Sequence, residues 1–166
     1  GKGNYSGTVT RSYKITPKSV TVTADNKSKV FGETDPKLTA KVDGTLGNDT
    51  VDYKLSRKDG EAAGKYEITV KGDKLQGNYT VTYVAGTLTI TKAETMTLTP
   101  ELTGKNAEKV YDSKPLSGGA KATVTEGTTI TYSTDGGKTW SETLPSITNV
   151  GTLNVKAKAE NPNYET

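Results

Sequence analysis

The chain has 166 residues, 31% of them hydrophobic, with nine Tyr but one Trp, one Phe and one Met, and neither Cys nor His. Disulfide frameworks, thiolate nucleophiles and Cys/His metal sites are therefore excluded. The net charge of +3 arises from 22 basic and 19 acidic residues, and Lys, scattered along solvent-facing strand positions, far outnumbers Arg, which reads as solubilising, edge-protecting charge and not as the Arg-and-aromatic face of a nucleic-acid binder.

A phrase opens the chain and returns. It runs Gly3-Asn4-Tyr5-Ser6-Gly7-Thr8-Val9 and on to Ile15-Thr16-Pro17. It recurs in full as Gly77-Asn78-Tyr79-Thr80-Val81-Thr82-Tyr83 with Gly86-Thr87-Leu88-Thr89-Ile90, and its opening sounds again at Asn161-Pro162-Asn163-Tyr164. Such a phrase closes a repeated domain. Residues 1–17 are accordingly expected to be the terminal strand of a preceding repeat, in a chain excised out of phase with its repeats.

Strands are then expected wherever apolar residues alternate between turn residues. Val20 and Val22 share one face of Ser19–Ala24; Leu38, Ala40 and Val42 lead to the Asp43-Gly44 turn; Val51, Tyr53 and Leu55 lead to Asp59-Gly60. Tyr66, Ile68 and Val70 follow, then Tyr79, Val81 and Tyr83, then Leu88 and Ile90. Tyr79 is expected to bury its ring and send its hydroxyl to the backbone, as in a tyrosine corner. The spacing from Tyr79 to Ile90 is odd, whereas that from Tyr5 to Ile15 is even. Because side chains alternate faces, an extra residue is needed, and a β-bulge at Ala85-Gly86 is the expected place. No segment has a 3.6-residue apolar period.

The remainder restates this pattern. Met96-Thr97-Leu98-Thr99 answers Val20-Thr21-Val22-Thr23, Lys109-Val110-Tyr111 answers Lys29-Val30-Phe31, Ile130-Thr131-Tyr132-Ser133 answers Val51-Asp52-Tyr53-Lys54, and Gly151–Lys156 answers Gly64–Thr69. The expected architecture is all-β: two tandem Ig-like β-sandwich domains arranged end to end, an 18–93 sandwich and a related 94–166 sandwich lacking its last strand. A missing strand with about three inward side chains forfeits roughly 1.5–3 kcal/mol each, a sum comparable with the whole stability of a small domain, about 5–15 kcal/mol. One way to supply it is intermolecular donation of Tyr5–Ile15 by a neighbouring molecule; the plainer alternative is that residues 4–16 add to the sheet of the 18–93 domain.

Chemistry-bearing motifs are few. Ser133-Thr134-Asp135-Gly136-Gly137-Lys138-Thr139-Trp140 fits the Asp-box pattern S-x-D-x-G-x-T-W. Its carboxylate is expected to accept backbone N–H bonds across a hairpin while Trp140 packs beneath the loop, a local structure nearly silent about catalysis. Trp140 is the one ligand-binding candidate, as a sugar-stacking platform. Asp25-Asn26 and Glu33-Thr34-Asp35 could supply oxygen ligands to a hard cation, but Asp or Asn beside Gly or Pro is ordinary turn chemistry. An amide crosslink would need a Lys, its acceptor and an acid together in a core, and no such trio can be named from sequence. No catalytic, cofactor-binding or metal-ligating residues are assigned, no cofactor is expected, and the chain is read as not an enzyme.

The run Ala24-Asp25-Asn26-Lys27-Ser28-Lys29-Val30-Phe31-Gly32-Glu33-Thr34-Asp35-Pro36, with the ending Gly77–Lys92, resembles the MBG-type domains of large bacterial surface adhesins. Val110-Tyr111-Asp112 and Asn161–Tyr164 resemble related repeats beside them in cell-wall-anchored proteins of Gram-positive bacteria. The resemblance implies an Ig-like sandwich repeated along an extracellular, cell-surface stalk. It carries over no catalytic or ligand residues. The function expected is a structural spacer in cell adhesion, with neighbouring repeats of the same protein as partners and neither nucleic acid nor membrane contacted by this segment. The competing reading is a binding module in which the loop around Asp135–Trp140 contacts a host glycan or protein.

Overall fold

The computed structural model describes Gly3, residues 7–102 and residues 108–165. Among these the regular structure is all strand, without helix. In chain order the strands are β1 Lys18–Ala24, β2 Lys27–Val30, β3 Ala40–Asp43, β4 Lys54–Arg57, β5 Gly64–Lys71, β6 Leu75–Gln76, β7 Tyr79–Val84 and β8 Gly86–Thr91. There follow β9 Leu98–Leu102, β10 Leu116–Ala122, β11 Thr129–Ser133, β12 Ser146–Ile147 and β13 Lys156–Glu160. They form four sheets, ordered β3-β1-β7-β6, β2-β8-β5-β4, β12-β10-β9 and β11-β13. The fold class is that of a β-sandwich protein, as the alternation predicts.

The early strands bury what the period-two pattern selects. Val20, Val22 and Ala24 of β1, Ile68 and Val70 of β5, Tyr79 and Val81 of β7, and Leu88 and Ile90 of β8 are all buried. β1 pairs parallel with β7, from Lys18↔Tyr79 to Thr23↔Val84, and β2 pairs parallel with β8. Sequence alternation is blind to these pairings, because parallel partners need a long crossover between them.

Ala85-Gly86 is not a bulge within a strand. The chain leaves the β3-β1-β7-β6 sheet at Val84 and enters the β2-β8-β5-β4 sheet at Gly86. That one-residue step shifts the buried side chains from odd to even positions, which is the parity change the sequence demanded. Gly86 is needed for close approach, not for an unusual φ. A Cβ there would stand 2.7 Å from the Ala24 carbonyl oxygen, too near for an unrelaxed backbone.

Other boundaries differ for identifiable reasons. Val51 is buried, yet β4 begins only at Lys54, because the Gln76 side chain takes the ladder's place at Asp52. Gln76 Oε1 accepts the Asp52 N–H at 2.6 Å and Gln76 Nε2 donates to the Asp52 carbonyl at 2.8 Å. Val110 and Tyr111 lie outside any strand and are exposed, and Gly151–Val155 precedes β13 instead of forming it. Residues 7–17 run without regular structure, and Val9, Tyr13 and Ile15 are exposed. Tyr5, at the start of the expected donor strand, lies outside the described residues.

Two compact units are distinguished. One comprises the chain up to Asp25, Leu38–Lys58 and Glu67–Thr87; the other comprises Asn26–Lys37, Asp59–Tyr66 and the chain from Leu88 onward. Within the second unit, Tyr164 forms a parallel bridge to Ala93 and sets its ring edge-on to Phe31 at 5.6 Å between centroids. The Asn163 side-chain oxygen there accepts the Ala63 N–H at 2.8 Å.

Candidate functional site

The Asp135 hairpin is the most organised polar structure in the molecule. β11 ends at Ser133, and the hairpin closes where Tyr132 and Ser141 exchange both backbone hydrogen bonds, at 2.7 and 2.9 Å. Gly136 and Gly137 have φ of 82° and 101°, a left-handed backbone that glycine adopts without steric cost. These two glycines turn the next three donors back on Asp135. Its Oδ1 accepts the Ser133 hydroxyl at 2.7 Å and the N–H groups of Lys138 and Thr139 at 2.9 and 3.0 Å, while Oδ2 accepts the Thr139 hydroxyl at 2.6 Å. Ser133 is itself buried and accepts the Gly137 N–H at 2.8 Å.

Those donors have an electrostatic consequence. The Thr139 hydroxyl and N–H, with the Ser133 hydroxyl, hold the Asp135 carboxyl far below the usual carboxylate range. A carboxylate so saturated with donors neither takes nor gives a proton near neutrality. It serves as the post around which the loop is wound.

Trp140 follows at the end of this loop. Its indole N–H donates to the Gly137 carbonyl at 3.2 Å, and the Lys158 ammonium stands 5.4 Å from the ring centroid. With 38% of its surface exposed, the ring is pinned along one edge and attended by a cation, and only part of it faces solvent. Lys156 adds a clasp by donating to the Gly136 carbonyl at 2.9 Å.

A second feature belongs to the same part of the chain. Leu98, Leu102, Leu116, Tyr132, Leu153 and Val155 are among the residues lining a cleft of about 920 Å³. In a filled sandwich this space would hold the core. Here only Ala122 and Ala159 are buried apolar residues among the described positions after Ile90.

Elsewhere, polar clusters are structural. Lys29 of β2 points inward, and its ammonium donates to Asp35 Oδ1 at 2.7 Å, to Glu61 Oε2 at 2.5 Å and to the Glu33 carbonyl at 3.0 Å. The hydrogen bonds to Asp35 and Glu61 raise its pKa. They hold the amine protonated, the form that cannot attack a carboxyl carbon. This gathering of a Lys with two acids was not legible from sequence; its faint signal was a Lys on the inward parity of a strand.

Tyr79 is buried, with its hydroxyl accepting the Leu46 N–H at 3.1 Å and donating to Asp49 Oδ2 at 2.6 Å. The bond to Asp49 raises the phenol's pKa. The expected return of this hydroxyl to the backbone is thus present, with a carboxylate added.

The acids considered as cation ligands are each engaged locally. Asp25 accepts the Thr39 hydroxyl, Glu33 Oε2 accepts the Val30 N–H at 2.8 Å, and Asp35 pairs with Lys29. Among the described residues no three His, Cys, Asp or Glu side chains are grouped to hold a metal ion.

No curated protein and no solved structure matches the chain. Residues 20–89 match the family model of the MBG domain, YGX type. Over the stretch from β1 into β8, the chain has the sequence pattern of an MBG-type repeat domain.

Proposed function

We propose that this chain is a non-catalytic repeat segment of a bacterial surface adhesin, an extracellular spacer that holds a distal binding domain away from the cell. The observation that carries this reading is the employment of its polar groups. The most constrained side chains, Asp135, Lys29 and Tyr79, are each spent on fastening a loop or strand, and none is left poised to bind or react. The MBG match over residues 20–89 supports a repeat of the kind found in surface proteins. In this reading residues 18–93 and 94–166 act as tandem modules. Glycan arrays and mucin should retain none of the chain, and saturable mucin binding would sink the spacer role.

The partial exposure of Trp140 favours one competitor, a glycan- or protein-binding module built on the Asp135–Trp140 loop. Glycan-array binding that disappears in Trp140→Ala would support it, whereas binding unchanged by that substitution would remove Trp140 from the site.

A further inference from the structure

We propose that the ladders β1–β7 and β2–β8 act as shear clamps, by which this chain withstands tension applied between residues 17 and 92. The strands involved are the first two and the last two of the stretch 18–91, and both pairings are parallel. One residue offset holds throughout, from Lys18↔Tyr79 to Thr23↔Val84 in the first ladder and from Lys27↔Leu88 to Val30↔Thr91 in the second. Further backbone bonds extend the ladders at the two points where tension enters. The Lys18 N–H donates to the Asn78 carbonyl at 2.8 Å, and the Phe31 N–H donates to the Thr91 carbonyl at 2.8 Å.

Strand direction decides how each ladder is pulled. Tension reaches β1 and β2 from their N-terminal ends, and β7 and β8 from their C-terminal ends. Parallel partners run the same way, so the two strands of a ladder are drawn apart from opposite ends, along their length. They can separate only by sliding, which breaks the hydrogen bonds of the ladder together instead of one after another. Each ladder has this geometry by itself. Sliding also drags buried side chains out of place: Val20 and Val22 of β1 with Val81 of β7 in one ladder, Leu88 and Ile90 of β8 in the other. β2 has a further fastening. The buried Lys29 is tied through its ammonium to Asp35 and Glu61, and the Thr91 hydroxyl donates to the Lys29 carbonyl at 3.3 Å. The use of such clamps by a cell-surface protein rests on the spacer reading; the clamps themselves do not.

The absence of native Cys lets maleimide handles be placed at will for single-molecule force spectroscopy of the whole chain. Thr16→Cys with Lys92→Cys pulls the ladders in shear. Thr16→Cys with Asn78→Cys grips the neighbouring N-terminal ends of β1 and β7 and peels their ladder from one end. All three positions are exposed, so both double variants should keep the wild-type urea midpoint, and the contrast then reports direction and not stability. At one pulling speed the shear pair should unfold at about twofold higher force or more, because forced unfolding is set by the barrier along the pulling direction. Equal forces in the two directions, or a higher force for the peeling pair, would overturn the proposal. Mucin binding would remove the spacer role and leave this contrast in force untouched.

Discussion

Asp135 accepts four hydrogen bonds from three residues of its own loop. Asp135→Asn replaces one acceptor oxygen with a donor, so the Thr139 and Trp140 end of the loop should loosen and the fluorescence of the sole Trp should shift to the red at neutral pH. The native carboxyl is depressed in the folded state, so its contribution is present above the unfolded value of about 3.9 and is lost as pH falls through the lower folded value. Trp140 emission in the wild-type chain should stay constant from neutral pH to about 4; a transition above that range would contradict the assigned hydrogen bonds. Lys29 has the opposite sign. Its folded pKa is raised, so its stabilisation is complete below the ordinary lysine value and is lost as pH rises through the higher one. An NMR titration of its Cε resonance should end above the ordinary range and move back toward it in Asp35→Asn. Intact mass should show no loss of water at this Lys–carboxylate cluster, whereas a water missing from a peptide containing Lys29 would show that the amine had reacted. The Asp135 loop was legible in the sequence because all its partners lie within four residues. Lys29 was not, since Glu61 stands 32 residues away.

Elements in this molecule differ in how well they are buried, and mutations should register the difference. Leu88 of β8 is fully buried, so Leu88→Ala should lower stability by about 2–5 kcal/mol through lost transfer energy and a cavity. Leu102 of β9 is 51% exposed at the rim of the cleft, and Leu102→Ala should cost within about 0.5 kcal/mol, as for an ordinary surface change. Urea midpoints for the two variants check this contrast, and equal shifts would mean that the later strands are packed as tightly as the early ones. Gly86→Val tests the sheet change at Ala85. Its added side chain meets the Ala24 and Asp25 carbonyl oxygens at 2.7 and 3.0 Å, so a loss of about 1–3 kcal/mol is expected. Strand positions were readable because alternation is a local property of the chain. The late start of β4 was not, because the group that replaces its first ladder bonds is a glutamine side chain 24 residues on.

At the scale of the whole molecule, the largest fully buried side chains among the described residues are Val20, Val22, Ile68, Leu88 and Ile90, all before residue 94. Native-state hydrogen exchange follows burial and hydrogen bonding. Amides of β1, β5, β7 and β8 should therefore exchange slowest, and those of β9–β13 faster in dilute solution; uniform protection would show a second core as complete as the first. The sequence alone determined that the chain is all-β, that its strands fall where apolar residues alternate, that Cys and His chemistry is absent, and that residues 133–140 wind around a carboxylate. Each of these follows from residue type and near-neighbour spacing. Only the tertiary structure decided that β1 pairs parallel with β7, that Tyr79 answers to Leu46 and Asp49, that Lys29 gathers two acids, and that a cleft opens beside β9. Those outcomes join residues far apart in the chain, and period-two alternation says which face of a strand is apolar without naming the partner it meets.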